Sequence, residues 1–357
     1  MSPGGVIVTE RIGEAVRYGP DGAPDALLEA QEIAEAIGGG APSGRDADNQ
    51  AVARLMVWCG LAAVNPAHAA RFIADASAAA AQISGNSPAW AVRIARALAA
   101  TDADGAASFA ESLKAGGARS RALAAVAAAI AATCPDRAER LARRIADPRQ
   151  RVTALAAVAA RVARRDPDRA GRLAAEAETA ARRVPDNVRS TALCEVIEAV
   201  AAIDPARAGS MAEQLPHSDV GEIRKAAAAL AAAWAPVDPD RAEQLARSQD
   251  SPGHQAVALA QVAAAMRPAD PVRAAALAAE ADGLAAAVRM RFGPGSALAA
   301  LTYQRMAAAF AVPDPGRALA YAREIATVPQ TALIKVDTLV GIATAVPPPV
   351  PPPRPAS

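Results

Sequence analysis

A turn of the form Asp-Pro-x-Arg-Ala recurs along this chain, and its spacing restricts the fold more than any other feature. It is written in full at Asp166, Asp204, Asp238, Asp270 and Asp314, each followed by proline and, two residues later, by arginine and alanine. An Asp before such a turn can accept a hydrogen bond from the orphan amides of a helix start. Proline at the first helical position loses nothing, because no intrahelical partner exists for that amide. Anchoring on Pro66, Pro135, Pro167, Pro205, Pro239, Pro271 and Pro315, with Ala103 in one degenerate unit, aligns eight units. Nine residues before the turn stands Val57, Ile94, Val126, Val158, Val196, Leu230, Val262 or Met306, and five before it Leu61, Leu98, Ile130, Val162, Val200, Trp234, Met266 or Phe310. Three after it is always alanine, from Ala69 to Ala318, and six after it Phe72, Phe109, Leu141, Leu173, Met211, Leu245, Leu277 or Tyr321.

Apolar residues four apart before the turn, and three apart after it, mark one face of each of two short helices. The stretch from Arg121 to Ile145 is the template: Leu123, Val126 and Ile130 form the first stripe, and Ala138, Leu141, Ala142 and Ile145 the second. The constant alanine lies one turn into the second helix, where a larger side chain would push the pair apart. Turn spacings of 32 residues (Pro135 to Pro167) and 44 (Pro271 to Pro315) imply second helices of unequal length. The fold expected is all-α: an α-solenoid of stacked antiparallel helix pairs in a right-handed superhelical array, without a sheet.

The same reading sets the boundaries. Residues 1–23 are an uncertain or disordered start, with Val6-Ile7-Val8 a possible short strand. Residues 24–48 hold a helix with Leu27, Ile33 and Ile37 on one side, then a Gly-rich linker from Gly38 to Asp48. The repeats fill 49–346 and end in a single helix with Leu333, Val336 and Val340, which has no second helix after it and reads as a C-terminal cap. Residues 347–357, PPPVPPPRPAS, have polyproline II composition.

Composition supports this and narrows the function. Hydrophobic residues make up 52% but aromatics only 3%, so many closely packed alanine-rich helices replace a large aromatic core. Lys and Arg number 38 and Asp and Glu 37, a net charge of +1, which disfavours a nonspecific nucleic-acid binder. Cys59, Cys134 and Cys194 are scattered without metal-ligand spacing and imply reduced thiols, hence a cytoplasmic location. The start MSPGGVIVTER lacks the basic and apolar regions of a secretory signal, and no apolar run spans a bilayer.

A helix-turn-helix unit of this length with small residues at the helix contact resembles the tetratricopeptide repeat over about Asn49 to Val346, with HEAT-like repeats a second name. Leu123, Val126, Ala127 and Ile130 fall where that family places its first-helix aromatic, Leu, small and aromatic positions. Alanine and aliphatics replace the aromatics, and the final proline is mostly missing. The Asp-Pro-x-Arg-Ala-x-x-Leu-Ala form looks like repeats of bacterial scaffold and sensor proteins. What the resemblance implies is protein or peptide binding through a concave face, with no catalytic residues and no cofactor.

That geometry would place Arg96, Arg121, Arg164, Glu198, Lys225, Arg267 and Gln304 in the groove, whose floor is otherwise largely alanine. Its mildly basic character suits an acidic protein or peptide partner. A second polar column, Arg137, Arg169, Arg207, Arg241, Arg273 and Arg317, stands third in the second helices and opposes their dipoles. Pairing with capping Asp residues would make it a structural ladder; the alternative is a basic ridge. Catalytic and metal sites are not expected: His68, His217 and His254 lie apart from any Cys or Ser nucleophile motif. The rival reading is an enzyme on a HEAT-like frame acting on nucleic acid, similar to DNA glycosylases, with Trp90, Arg93 and Arg96 in a groove and Glu198 as carboxylate. A purely structural assembly element is the third.

Overall fold

Each Asp of the recurrent turn does cap a helix. In the computed structural model the carboxylates of Asp166, Asp204, Asp238, Asp270 and Asp314 accept from the backbone N–H of the arginine three residues on, at 2.9–3.1 Å. Asp102 does the same for the degenerate unit, and Cys134 holds the cap position without a side-chain bond. Replacing Asp238 by Ala is therefore expected to cost about 0.5–2 kcal/mol. Chemical denaturation would show it as a lower midpoint at unchanged slope, and an unmoved midpoint would mean that the cap adds nothing.

The structure describes residues 23–37, 45–64, 69–81, 88–99, 102–113, 116–214 and 220–345. Among them are eighteen helices and no strand: α1 (Ala23–Ala36), α2 (Arg45–Val64), α3 (Ala69–Ala81), α4 (Pro88–Ala99), α5 (Ala103–Ser112), α6 (Gly117–Ile130), α7 (Pro135–Arg144), α8 (Pro148–Val162), α9 (Pro167–Ala181), α10 (Asp186–Ala201), α11 (Pro205–Glu213), α12 (Val220–Trp234), α13 (Pro239–Arg247), α14 (Pro252–Met266), α15 (Pro271–Phe292), α16 (Ala297–Phe310), α17 (Pro315–Glu324) and α18 (Ala332–Ala345). The first repeat helix begins at Arg45, so the end of the stretch read as linker is helical, with Asp46 and Asp48 in its first turn. The Val6-Ile7-Val8 reading and the proline-rich tail lie outside the described residues.

The helices form an all-α solenoid in two layers. Even-numbered helices pack on one another in succession, and each odd-numbered helix packs outside the even-numbered helix before it. The four columns face these contacts. Ala106, Ala138, Ala170, Ala208, Ala242 and Ala318 are fully buried, as are Val57, Val126, Val158, Val196, Val262 and Met306.

The array does not end at α18. That helix packs against α2 in the inner layer and against α1 in the outer layer, so nine inner helices form an unbroken cycle. The helix that lacks a second helix after it in sequence takes one from the other end of the chain. Leu27, Ala30, Ile33 and Ala34 of α1 join one buried cluster with Val336, Leu339, Val340 and Ala343 of α18. Gly60 on α2 lies where they meet: a Cβ there would stand 2.9 Å from Val340 Cγ1 and 3.0 Å from Leu27 Cδ2. Polar bonds follow the seam. Lys335 Nζ, on a side chain only 10% exposed, lies 3.2 Å from Glu29, and Gln50 Nε2 donates to the Glu35 and Ile37 carbonyls at the end of α1.

Candidate functional site

Nine helices spaced about 9 Å apart around a ring put their axes about 13 Å from the centre. Subtracting a helix radius of about 5–6 Å leaves a central space about 7–8 Å in radius for side chains and guests. Residues fourteen, ten and seven before each turn face it, because positions on either side are covered by the neighbouring inner helices. A cavity of ≈ 220 Å³ opens there, drawing Glu198 from α10, Ala228 and Ala229 from α12, His254 and Gln261 from α14, and Arg305 from α16.

Charged groups collect on this face. Arg93 Nη1 reaches past α2 to Asp337 Oδ1 on α18 at 2.7 Å, while Asp337 Oδ2 accepts from Gln304 Nε2 of α16 at 3.0 Å. Glu195 accepts from Thr153 Oγ1 at 2.6 Å and lies 3.5 Å from Arg149. Arg96 exposes surface to solvent, yet protein crowds around it, as for a side chain standing in an enclosed wet space. That crowding lowers its pKa; Arg93 lowers it further, Asp337 opposes the shift, and Arg161 adds to it. Among the described residues Arg96, Arg161 and Arg305 make no ion pair. Cys59 faces the same region, but burial, opposed only by Arg93, pushes its thiol up to about 12, so it stays protonated at neutral pH. Gln261 Oε1 is buried without a hydrogen-bond partner among the described residues.

The expected groove residues divide. Arg96 and Glu198 are on the central face, and Gln304 is there through its bond to Asp337. Arg121, fourteen before its turn, is exposed at the N-terminal end of α6, and Arg164 is exposed in the turn that follows α8. Arg267 is instead tied to Asp314, the cap of the next outer helix, and so belongs to the turn. Lys225 lies on α12, but its side chain is outside the described ones, as is that of Trp90. Glu195, Gln261 and Arg305 were not singled out as groove residues, and Arg93 only for the nucleic-acid enzyme reading, although all four stand ten before their turns. Glu198 sits three inner helices away from Arg93 and Arg96, in the cavity with His254 and Arg305.

The outer arginine column is a ladder, though its acids are not the caps. Arg137 bonds Asp104 and the Ala103 carbonyl, Arg169 bonds Asp136 and Glu139, and Arg273 bonds Asp240 and Glu243, each one unit back. Arg207 meets Glu178 at 2.9 Å, and Arg317 meets Asp282 at 2.6 Å. Arg241 lies over the Trp234 ring at 4.3 Å. A second rung runs from Arg143 to Glu176 and from Arg247 to Glu280, both at 2.8 Å. The bond from Arg182 first, then that from Arg207, hold Glu178 below its ordinary 4.5 against desolvation, and Arg247 does so for Glu280. A carboxylate depressed in the folded state stabilises above its unfolded pKa and loses that contribution as pH falls through the folded value. The thermal midpoint is therefore expected to hold down to about pH 5 and then fall through the acid range. Glu178→Gln with Glu280→Gln should flatten that fall; an unchanged acid limb would exclude the ladder as its source.

Ser251 Oγ and His254 Nδ1 come together at 2.6 Å, a contact between residues that the sequence reading left apart. Ser251 is the N-cap of α14 and also accepts from the His254 N–H at 3.4 Å, so the pair closes a helix start. Among the described residues no group of His, Cys, Asp and Glu could hold a metal ion, and no helix is long and apolar enough to cross a membrane. No protein-family model, curated protein or solved structure matches the chain.

Proposed function

We propose that this ring is a binding module that holds an acidic peptide segment of a partner protein against its central face, as scaffold, adaptor or sensor. The observation that carries this is a difference in pairing. Arginines of the outer ladder are matched to carboxylates one unit away, whereas Arg96 and Arg305 stand on the central face, with Arg161 near enough to act on Arg96, and none of the three makes an ion pair among the described residues. A guanidinium that is not held in an ion pair keeps its N–H groups for an incoming carboxylate, which accepts charge-assisted hydrogen bonds. An extended peptide also brings backbone N–H donors, which suits the unpartnered Gln261 Oε1. The resemblance to tetratricopeptide repeats points to the same class of partner.

The test is fluorescence anisotropy with a labelled decapeptide alternating Glu and Ala, against its Gln and Lys counterparts. The Glu peptide is expected to bind, and Arg96→Gln or Arg161→Gln to weaken it about tenfold or more, each lost charged hydrogen bond being worth about 1.5–3 kcal/mol. Arg143→Gln on the outer ladder should leave the affinity unchanged. Equal binding of all three peptides, or loss only in the outer variant, would overturn the assignment to the central face.

A further inference from the structure

α15 runs for 22 residues, whereas the other outer helices have nine to fifteen. Its extra turns add one ladder contact, from Arg289 to Glu324 of α17, and do more besides. They carry Val288, Arg291 and Phe292 over the N-terminal ends of α14 and α16, closing a second cavity of ≈ 470 Å³. Val257 from α14 and Leu298 and Leu301 from α16 complete an apolar wall. Phe292, Leu298 and Leu301 remain 48%, 47% and 40% exposed, so large apolar side chains are left open to solvent where the fold has added a wall. Gly253 lies at the floor, where a Cβ would come within 3.2 Å of Thr302 Oγ1.

Two cations frame this pocket. The Arg291 guanidinium lies 5.2 Å from the Phe292 ring centroid, and Arg305 stands where the pocket meets the central cavity. Neither makes an ion pair among the described residues. A concave apolar pocket of this size with a few convergent polar groups is the usual form of a small-molecule site. Its chemistry selects a guest with one negative end and a hydrocarbon body. Apolar area removed from water would supply the affinity, and Arg291 and Arg305 would fix the orientation.

We propose that this pocket, which shares Arg305 with the central face, binds a small monocarboxylate with an aliphatic tail. The test is isothermal titration of the full chain with decanoate, decanol and acetate. Decanoate is expected to bind, decanol about tenfold or more weakly for want of the charged contact, and acetate not at all. Leu301→Trp, at a partly exposed position, should fill the pocket and abolish decanoate binding with helicity intact. Arg291→Gln should weaken decanoate about tenfold while leaving decanol unchanged. Binding of the acidic decapeptide should survive Arg291→Gln, which lies on an outer helix away from the central face, so failure of the pocket and failure of the peptide reading are told apart. No decanoate binding, equal binding of decanoate and decanol, or full binding by the Leu301→Trp variant would each overturn the proposal.

Discussion

Leu27→Ala is expected to lower stability by about 2–5 kcal/mol, the range for deleting a buried leucine side chain. Leu27 is 2% exposed and fills the space beside Gly60 and Val340. Gly60→Ala alone should also destabilise: its Cβ would overlap both neighbours, at a cost of about 1–3 kcal/mol, offset by up to about 1 kcal/mol of helix propensity. The double variant should recover part of the loss, because the new methyl occupies volume that the leucine vacated. A positive coupling in that cycle is the first check. The second is hydrogen exchange: α18 should lose protection in the Leu27→Ala variant although residues 27 and 340 are 340 − 27 = 313 positions apart. Faster exchange confined to α1 and α2 would argue against closure through this contact.

The alanine column sets the other large effect. Ala170 is 0% exposed, between α8 and α9. Ala170→Leu would force the pair apart and is expected to cost about 1–3 kcal/mol or more. Ala175→Leu, exposed on the same helix, should stay within about 0.5 kcal/mol. Equal midpoints for the two variants in urea would mean that the column reflects composition and not packing.

The local grammar of the fold was legible because its causes are local. A capping Asp, a proline at the first helical position and apolar residues at helical spacing act within one turn of chain. Closure of the ring depends on two distant segments, and α1 disguises its role: Pro24-Asp25-Ala26-Leu27 puts leucine where other outer helices carry alanine. The matching signal was Gly60, whose missing side chain makes room for that leucine. The central face was read half correctly for a related reason. Gln304 and Arg267 were both expected in the groove; Gln304 reaches it through Asp337, but Arg267, four before its turn, pairs with Asp314 of the next unit. Position ten, with Arg93, Glu195, Gln261 and Arg305, faces the centre instead. The second cavity was foreshadowed only by the 44-residue spacing between Pro271 and Pro315.

The pairing of α1 with α18 also orders events in time. The outer helix of the closing unit is synthesised well before its inner partner, with 332 − 36 = 296 positions between the end of one and the start of the other. At about 5–20 residues per second that interval lasts about 15–60 s. Throughout it, Leu27 and Ile33 have no α18 to cover them, and the growing chain is an open strip with an apolar edge at each end. A second copy at the same stage carries complementary edges, so nascent chains held close together on one messenger would be able to close on each other as well as on themselves.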